Sequence, residues 1–198
     1  MGLKNQITTC NALTWEQAQE LVEHLKATDE YRFALLTGIG FYTGLRIGDI
    51  LKLRWNQLLN TSVLDIKERK TKKIRRIFLN EKVQKLILLC HDKMYLKYSG
   101  FITPDNYVFI NRSGAKPISV QYVDRMLPVF LNEINIPCKS AGSHTLRKTF
   151  GKRIYEAGQK TEHALIMVSE LLHHSSCQVS RVYCGISQSD YKQAYLGL

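Results

Sequence analysis

A change of hydrophobic periodicity in the middle of the chain constrains its fold most. Residues 62–80 contain two short runs of strand character, 63–66 and 74–79, which flank a basic turn, while apolar residues recur at helical spacing on both sides. Two such runs close in sequence predict an antiparallel β-hairpin. Because an isolated hairpin is marginally stable in water, it must pack against helices. The sequence therefore predicts a mainly α fold with a small antiparallel β-sheet.

The helical segments and domain limits follow from the same spacing. Thr14 and Gln17 have the pattern of a capping box that opens the first helix. Residues 1–13 are predicted to be a tail or linker, 14–186 one domain, and 187–198 a C-terminal tail helix. Further helices are predicted over 31–42, from residue 47, and over 81–96, 119–134 with a kink at Pro128, 144–157, 162–172 and 189–195, with a short strand over 107–110.

The charge balance indicates a polyanionic partner. The chain has 28 Lys and Arg residues against 17 Asp and Glu, a net charge of +11, and nucleic acid is the commonest partner for such an excess. Binding to an anionic membrane surface would require a basic amphipathic helix, and the sequence contains no convincing one. No apolar run approaches the ~18 residues of a membrane span. A start unlike a signal peptide and five scattered cysteines predict reduced thiols and a cytoplasmic location.

The predicted hairpin carries most of the local charge. Residues 67–76 contain seven basic residues and one acid, Glu68, a net charge of +6. On a hairpin, such a run can lie along DNA phosphates, and a lysine at the turn could protonate a leaving alkoxide. A solvated charge run is the alternative. The basic residues are Lys67, Arg69, Lys70, Lys72, Lys73, Arg75 and Arg76.

Two further segments place arginines where they could bind an anion. Arg46 follows the Thr43-Gly44 break at a predicted helix start, where backbone N–H groups assist anion binding. His144 and Arg147 are three residues apart, on one side of a predicted helical turn. Such a pair can hold one phosphate, the arginine through two hydrogen bonds and the histidine through one. Each segment alone is also compatible with ordinary surface charge.

A last segment combines histidines with a tyrosine. His173 and His174 follow an apolar helix, and Tyr183 lies nine residues after His174. A zinc site that also uses Cys177 and Cys184 is the alternative. It is weak because the segment lacks paired C-x-x-C elements.

The joint order of these segments resembles the tyrosine recombinase (phage integrase) family. The likeness runs from Leu13 to Tyr183 and rests on Thr-Gly-x-Arg, a hairpin lysine, His-x-x-Arg, a Leu-x-His-Ser-Ser motif and a following tyrosine. Within the hairpin, the resemblance places the lysine at Lys70, with Lys72 as the second choice. It implies Tyr183 as the nucleophile and a full catalytic set of Arg46, Lys70, His144, Arg147, His174 and Tyr183. DNA contacts are expected from Lys67, Arg69, Lys72, Lys73, Arg75, Arg76 and Ser175.

The resemblance also implies an activity. It is site-specific DNA recombination or integration by transesterification through a 3′-phosphotyrosine, without metal, ATP or another cofactor. The implied partners are double-stranded DNA and further copies of the chain, monomeric without DNA and tetrameric in the synapse, with the tail helix docking on a neighbouring subunit. No membrane partner is expected. The expected location is the bacterial or phage-type cytoplasm, near the nucleoid. The alternatives are a nicking-closing enzyme and a DNA-binding regulator that lacks catalysis.

The sequence departs from the family pattern at three positions. His173 stands where the family usually has glycine, which puts the local turn in doubt. Asp49 replaces the commoner glutamate after Arg46, and Cys184-Gly185 follows the tyrosine. Relatives also usually carry a separate helical DNA-binding domain before the catalytic part. The chain is therefore expected to be either part of a longer integrase or similar to short inversion-type recombinases.

Overall fold

A computed structural model describes residues 11–68, 74–97, 102–114, 116–137, 140–174, 176–186 and 195–196. The elements of these residues confirm the predicted mainly α fold with a small antiparallel sheet. The helices are α1 (Trp15–Ala27), α2 (Tyr31–Thr43), α3 (Ile47–Ile50), α4 (Trp55–Leu58), α5 (Glu81–Lys97), α6 (Val120–Glu133), α7 (Ser143–Ala157), α8 (Glu162–Leu171) and α9 (Cys177–Tyr183). The strands are β1 (Val63–Lys67) and β2 (Ile74–Phe78).

Helix α2 forms the centre of the core. It packs against α1, α5 and α7, and most of its side chains are fully buried, as expected for a helix that is apolar nearly all round. Gly40 permits the close approach of α7, because a Cβ atom at this position would lie 2.8 Å from the Cβ of Leu146. The central helix therefore fixes the position of α7 and, with it, of Arg147.

The capping box predicted at the start of α1 is confirmed. The Gln17 backbone N–H donates to the Thr14 hydroxyl at 3.2 Å, and the Thr14 backbone N–H donates to the Gln17 side chain at 2.9 Å. The backbone N–H of Leu13 donates to the Thr149 hydroxyl at 3.0 Å. The entry to α1 is thereby attached to α7.

Strands β1 and β2 pair antiparallel in a register that joins Val63 to Phe78 and Lys67 to Ile74. Side chains alternate across the hairpin, so Arg75 and Ile77 point inward while Arg76 and Phe78 are exposed. The turn between the strands lies outside the described residues, as do Arg69, Lys70, Lys72 and Lys73.

The strand predicted over residues 107–110 is wrong. This segment forms two isolated bridges, Arg54 with Tyr107 and Ile110 with Pro117, rather than a strand. The Val108 backbone N–H donates to the Leu53 carbonyl at 2.9 Å, so this segment pairs with the short loop before α4. The loop before α4 is too short to pair with residues 107–110 as a continuous β-ladder.

Helices α4 and α9 were not predicted, because four and seven residues are too short to establish a hydrophobic period. The predicted helix 189–195 falls mainly outside the described residues. None of the described helices combines the length and the apolar character that crossing a membrane requires.

Candidate active site

The turn that ends α2 gathers three arginines. Gly44 ends the helix with φ +60°, and a Cβ atom there would lie 2.5 Å from the Phe150 ring. The Gly44 carbonyl accepts from Arg147 at 2.6 Å, and the Thr43 carbonyl accepts from Arg75 at 2.5 Å. Arg46 follows two residues later, at the start of α3. One backbone turn therefore brings together side chains from α3, β2 and α7.

Arg147 is a buried cation held by two backbone carbonyls. Its side chain is 3% exposed and donates to the carbonyls of Gly44 and Leu172. Burial, together with the charge of Arg46, lowers the pKa of Arg147 to about 10. The guanidinium still carries its charge at neutral pH. Its direction is therefore set before any ligand arrives.

Arg46 contacts a fully buried carboxylate. Its Nη1 lies 2.5 Å from Glu68 Oε2, and its side chain remains 23% exposed. Arg75 Nη1 lies 3.9 Å from the other oxygen of Glu68. Burial lowers the pKa of Arg75 to about 10, a shift opposed by the charge of Glu68.

The position of Arg75 differs from the one its predicted DNA contact requires. Its side chain is 5% exposed, and the guanidinium lies among backbone carbonyls of the site. Lys67 and Arg76 are exposed on the hairpin, as a groove contact requires, and Arg76 pairs with Asp65 at 2.8 Å. The remaining predicted DNA-contacting residues, Arg69, Lys72, Lys73 and Ser175, lie outside the described residues.

His174 and Tyr183 meet beside the arginines. The ring centroids are 4.5 Å apart at an interplanar angle of 62°, and His174 Nδ1 lies 2.9 Å from the Ser180 hydroxyl. Burial, together with the charges of Arg147 and Arg46, lowers the pKa of His174 to about 4. Helices α8 and α9 therefore bring the predicted histidine and tyrosine to the predicted arginine pair.

The turn between α8 and α9 depends on His173. The N–H groups of His173 and His174 donate to the carbonyls of Glu170 and Ser169, the two bonds of a Schellman motif. In this motif His173 has φ +47°, a left-handed conformation that favours glycine. The turn that glycine would form is thus retained, with an imidazole added.

His144 lies one turn before Arg147 on α7, and its side chain is exposed. The start of this helix is held in place by a 2.7 Å hydrogen bond from the Ser143 backbone N–H to Asp124. Lys70, the predicted general acid, lies outside the described residues. The structure therefore brings together Arg46, Arg147, His174 and Tyr183 from the predicted set.

Two charged residues at this site were not predicted as members of it. Glu68 contacts Arg46, and Lys148 is 5% exposed with Nζ 5.8 Å from the Tyr183 ring centroid. One sequence signal was available for Glu68. Strand alternation from Leu64 and Ile66 places it on the inward face.

No group of three His, Cys, Asp or Glu side chains within the described ranges is arranged to hold a metal ion. In the alternative zinc set, the Cys184 thiol lies 3.8 Å from the Gly151 carbonyl, and His174 faces Ser180. These side chains therefore take part in packing and in the arginine site.

The low pKa of His174 predicts a pH-dependent stability. Its ordinary pKa is 6.5 and its folded value is about 4, so between these values the unfolded chain binds more protons. The free energy of unfolding should therefore fall as the pH drops through this window. We expect a loss of about 1–2 kcal/mol, allowing for the solvent that reaches the ring. Urea unfolding from pH 7 to about pH 4 measures it.

His174→Gln is the control for this prediction, since the amide stays polar but does not titrate. Carboxyl groups that titrate in the same range contribute equally to both proteins. The difference between the two curves should therefore belong to the imidazole. Parallel curves would show that His174 titrates normally in the folded protein.

The site sets Arg46 and Arg147 beside Tyr183 on a mainly helical fold, an arrangement with the charge to bind an anionic group. Residues 11–189 match the phage integrase family, and the chain belongs to this family. The family resemblance inferred from the sequence is thus confirmed.

Three comparisons illustrate the relationship. The probable integrase/recombinase YoeC of Bacillus subtilis (strain 168) is 31% identical over 182 residues, which cover 91% of each chain. Tyrosine recombinase XerH of Campylobacter jejuni is 26% identical over 165 residues, which are 82% of this chain but 44% of XerH. The structure of XerH site-specific recombinase bound to palindromic difH substrate, a post-cleavage complex, superposes with a TM-score of 0.70 at 23% identity, over 93% of this chain and 52% of that one.

Proposed function

We propose that residues 14–186 are the catalytic domain of a site-specific DNA recombinase that breaks and rejoins strands through a 3′-phosphotyrosine. The observation that carries this proposal is the meeting of Arg46, Arg147, His174 and Tyr183 in one place. Membership of the phage integrase family and the DNA-bound state of XerH support it.

The arginines supply charge stabilisation. A phosphodiester carries one negative charge, and attack by an oxygen nucleophile raises the negative charge on the phosphoryl oxygens. Arg46 and Arg147 would neutralise the added charge, and Arg147 is already oriented by the carbonyls of Gly44 and Leu172. Preorganised charges of this kind in a water-poor site are often the largest single contribution to catalysis.

His174 would donate a hydrogen bond to the same phosphate. Its Nδ1 faces the Ser180 hydroxyl, and its buried Nε2 has no hydrogen-bond partner in the described part of the chain. If Ser180 donates to Nδ1, Nε2 carries the proton and can donate it to a phosphoryl oxygen. His144 would either accept the tyrosine proton or bind phosphate.

The reaction exchanges one ester for another. The bond from Tyr183 Oη to phosphorus forms while the bond from phosphorus to O5′ breaks, and Lys70 would donate a proton to the departing oxygen. The new ester keeps the energy of the phosphodiester bond. A second 5′-hydroxyl can therefore reverse the step without ATP. The proposed reaction gives no role to a metal.

DNA contacts are proposed for Lys67, Arg69, Lys72, Lys73, Arg76 and Ser175. Arg75, which the sequence placed in the same set, is proposed instead to hold the turn after α2, since its guanidinium is buried against Thr43 and Gly44. Phosphate contacts by exposed lysines and arginines release counterions, so affinity should fall steeply with salt.

Self-association on DNA is proposed from the tail, residues 187–198. Tyr195 and Leu196 are 80% and 76% exposed in the described part of this segment. Docking of the tail on a neighbouring subunit would cover this apolar surface, with a monomer in the absence of DNA and a tetramer in the synapse. The protein would act in the compartment that holds the DNA.

The experiment that tests the proposal is covalent trapping. The probe is a pool of nicked duplexes with a randomised central segment, in which cleavage releases a short strand that diffuses away. Adducts that survive detergent are recovered and sequenced, and mass spectrometry locates the modified residue. We expect a DNA adduct on Tyr183, and the enriched sequence then serves as the defined substrate. DNA binding without any adduct would indicate the inactive regulator instead.

The role of Lys70 has its own test. Lys70→Ala should slow cleavage of the defined substrate by about a hundredfold or more, because the leaving oxygen then departs without a proton. A substrate with sulfur in place of O5′ should cleave at nearly the wild-type rate, since a thiolate leaves without protonation. The measurement is the rate of adduct formation in a single turnover.

Lys72→Ala is the matched control for this prediction, because Lys72 is the second candidate for the same role. Lys72→Ala should weaken DNA binding. Replacing O5′ by sulfur should change its cleavage rate no more than it changes that of the wild type. Rescue by sulfur in Lys72→Ala rather than Lys70→Ala would move the role to Lys72.

A further inference from the structure

Glu68 is a buried carboxylate at the centre of the cationic site. Its side chain is 0% exposed, and Oε2 lies 2.5 Å from Arg46 Nη1 and 3.4 Å from His173 Nδ1. Its other oxygen lies 3.9 Å from Arg75 Nη1. A carboxylate without solvent is stable only among such partners, and removing one side of a buried pair is strongly unfavourable.

Two arrangements could place a carboxylate against Arg46. It could lie in front of the guanidinium and block the place of a phosphate, or lie behind it and fix its direction. The exposures distinguish the two. Glu68 has no exposed surface, whereas Arg46 keeps 23% of its side chain exposed. The carboxylate is therefore on the buried side of the pair, and part of the Arg46 side chain remains open to solvent.

Arg147 and Arg46 are held in different ways. Arg147 is oriented by the backbone carbonyls of Gly44 and Leu172. Arg46 donates instead to the side chain of Glu68, directly after β1. Because an arginine side chain has many rotamers, a fixed partner removes the cost of ordering it when the substrate binds.

We infer that Glu68 is a positioning residue, which orients Arg46 toward the phosphate through their ion pair. This inference rests on the proposed function, because it assigns Arg46 to the transferred phosphate. In the sequence Glu68 lies two residues before Lys70, the proposed general acid.

His173 supports the same carboxylate. Its backbone adopts φ +47°, which glycine would adopt at lower energy, and its ring nitrogen faces Glu68. A residue with a strained backbone whose side chain contacts the partner of Arg46 is consistent with a role at the site rather than in the fold alone.

The test is Glu68→Gln, which keeps the shape of the side chain and removes its charge. Adduct formation on the defined substrate should slow by about a hundredfold, the cost of misplacing a reacting group by about 1 Å. DNA affinity, measured by fluorescence anisotropy, should change by less than about threefold, since many phosphate contacts remain. A blocking carboxylate would instead make Glu68→Gln bind DNA more tightly or cleave faster, and either result overturns the inference.

A spectroscopic measurement separates positioning from a general structural effect. With ¹⁵N-labelled arginine, the Arg46 Nη groups, assigned by their loss in Arg46→Lys, should show hindered rotation in the wild type. They should rotate freely in Glu68→Gln. Hindered rotation retained in the variant would show that other groups orient Arg46.

Two further variants complete the experiment. Glu133→Gln changes a carboxylate that lies 2.8 Å from His24 Nε2 in a partly exposed contact, and both rate and affinity should stay at the wild-type values. If Glu68→Gln does not fold, Glu68→Asp decides, because it keeps the charge and withdraws it by one methylene. Glu68→Asp should cleave more slowly with unchanged DNA affinity. Cleavage by Glu68→Asp at the wild-type rate would overturn the inference. Failure of the proposed function would appear separately, as a wild-type protein that forms no adduct.

Discussion

Tyr183→Phe is expected to abolish covalent adduct formation while DNA affinity stays within about threefold of the wild type. The variant lacks the oxygen that would bond to phosphorus in the proposed reaction. We therefore expect a rate at least about a thousandfold lower, since removing a nucleophile costs more than removing a supporting group. Covalent trapping on the nicked duplex measures the rate, and anisotropy measures the binding.

Tyr155→Phe is the matched control for this prediction. Tyr155 packs in the same apolar cluster as Tyr183, on α7, so the variant removes a hydroxyl from the same neighbourhood. It should form adduct at the wild-type rate. An adduct formed by Tyr183→Phe would assign the nucleophile to another residue, and loss of activity in Tyr155→Phe would indicate that the cluster, rather than the phenol oxygen, matters.

Arg147→Lys is expected to have the second largest effect. Lysine keeps the positive charge but cannot reach the carbonyls of Gly44 and Leu172 together, so the charge would no longer be aimed by two fixed hydrogen bonds. Loss of a preorganised donor to the developing charge costs about a hundred- to a thousandfold in rate. The rate of adduct formation at saturating DNA measures this effect.

The same variant should also be less stable. A buried carbonyl left without a donor costs about 1–3 kcal/mol. The Leu172 carbonyl would lose its bond from Arg147, whereas the Gly44 carbonyl keeps Arg75 Nη1 at 3.4 Å. Thermal unfolding of Arg147→Lys should therefore occur at a lower temperature than in the wild type. Arg153→Lys on the same helix, where the guanidinium lies 5.4 Å from the Trp15 ring on an exposed side, should change neither rate nor stability appreciably. Wild-type cleavage by Arg147→Lys would remove this residue from the proposed mechanism.

The arrangement of the site explains why its parts are far apart in the sequence. Arg46 comes from the turn after α2, Arg147 from α7 and Tyr183 from α9. They meet because α7 packs against the central helix at Gly40, while α8 and α9 pack back on α7. A catalytic set drawn from several elements depends on the whole core.

The sequence alone determined the helical pattern and the hairpin. Thr14 and Gln17 identified the start of α1, and strand alternation identified β1 and β2, because these features depend on residues close together in the chain. The motif order around Arg46, Arg147, His174 and Tyr183 also sufficed for the family. Short helices such as α4 and α9 escaped prediction because one or two turns do not show a period.

Only the tertiary structure decided which charges belong to the site. Arg75 and Arg76 are neighbours in a basic run, yet one is 5% exposed against Thr43 and the other is exposed beside Asp65. In the sequence Glu68 is the single acid of the same basic run, and only the structure shows that it is the buried partner of Arg46. The roles of Glu68 and Arg75 depend on partners 22 and 32 positions away in the chain, which come within reach only when the hairpin packs beside the end of α2. Arg76, by contrast, meets Asp65 across the hairpin itself.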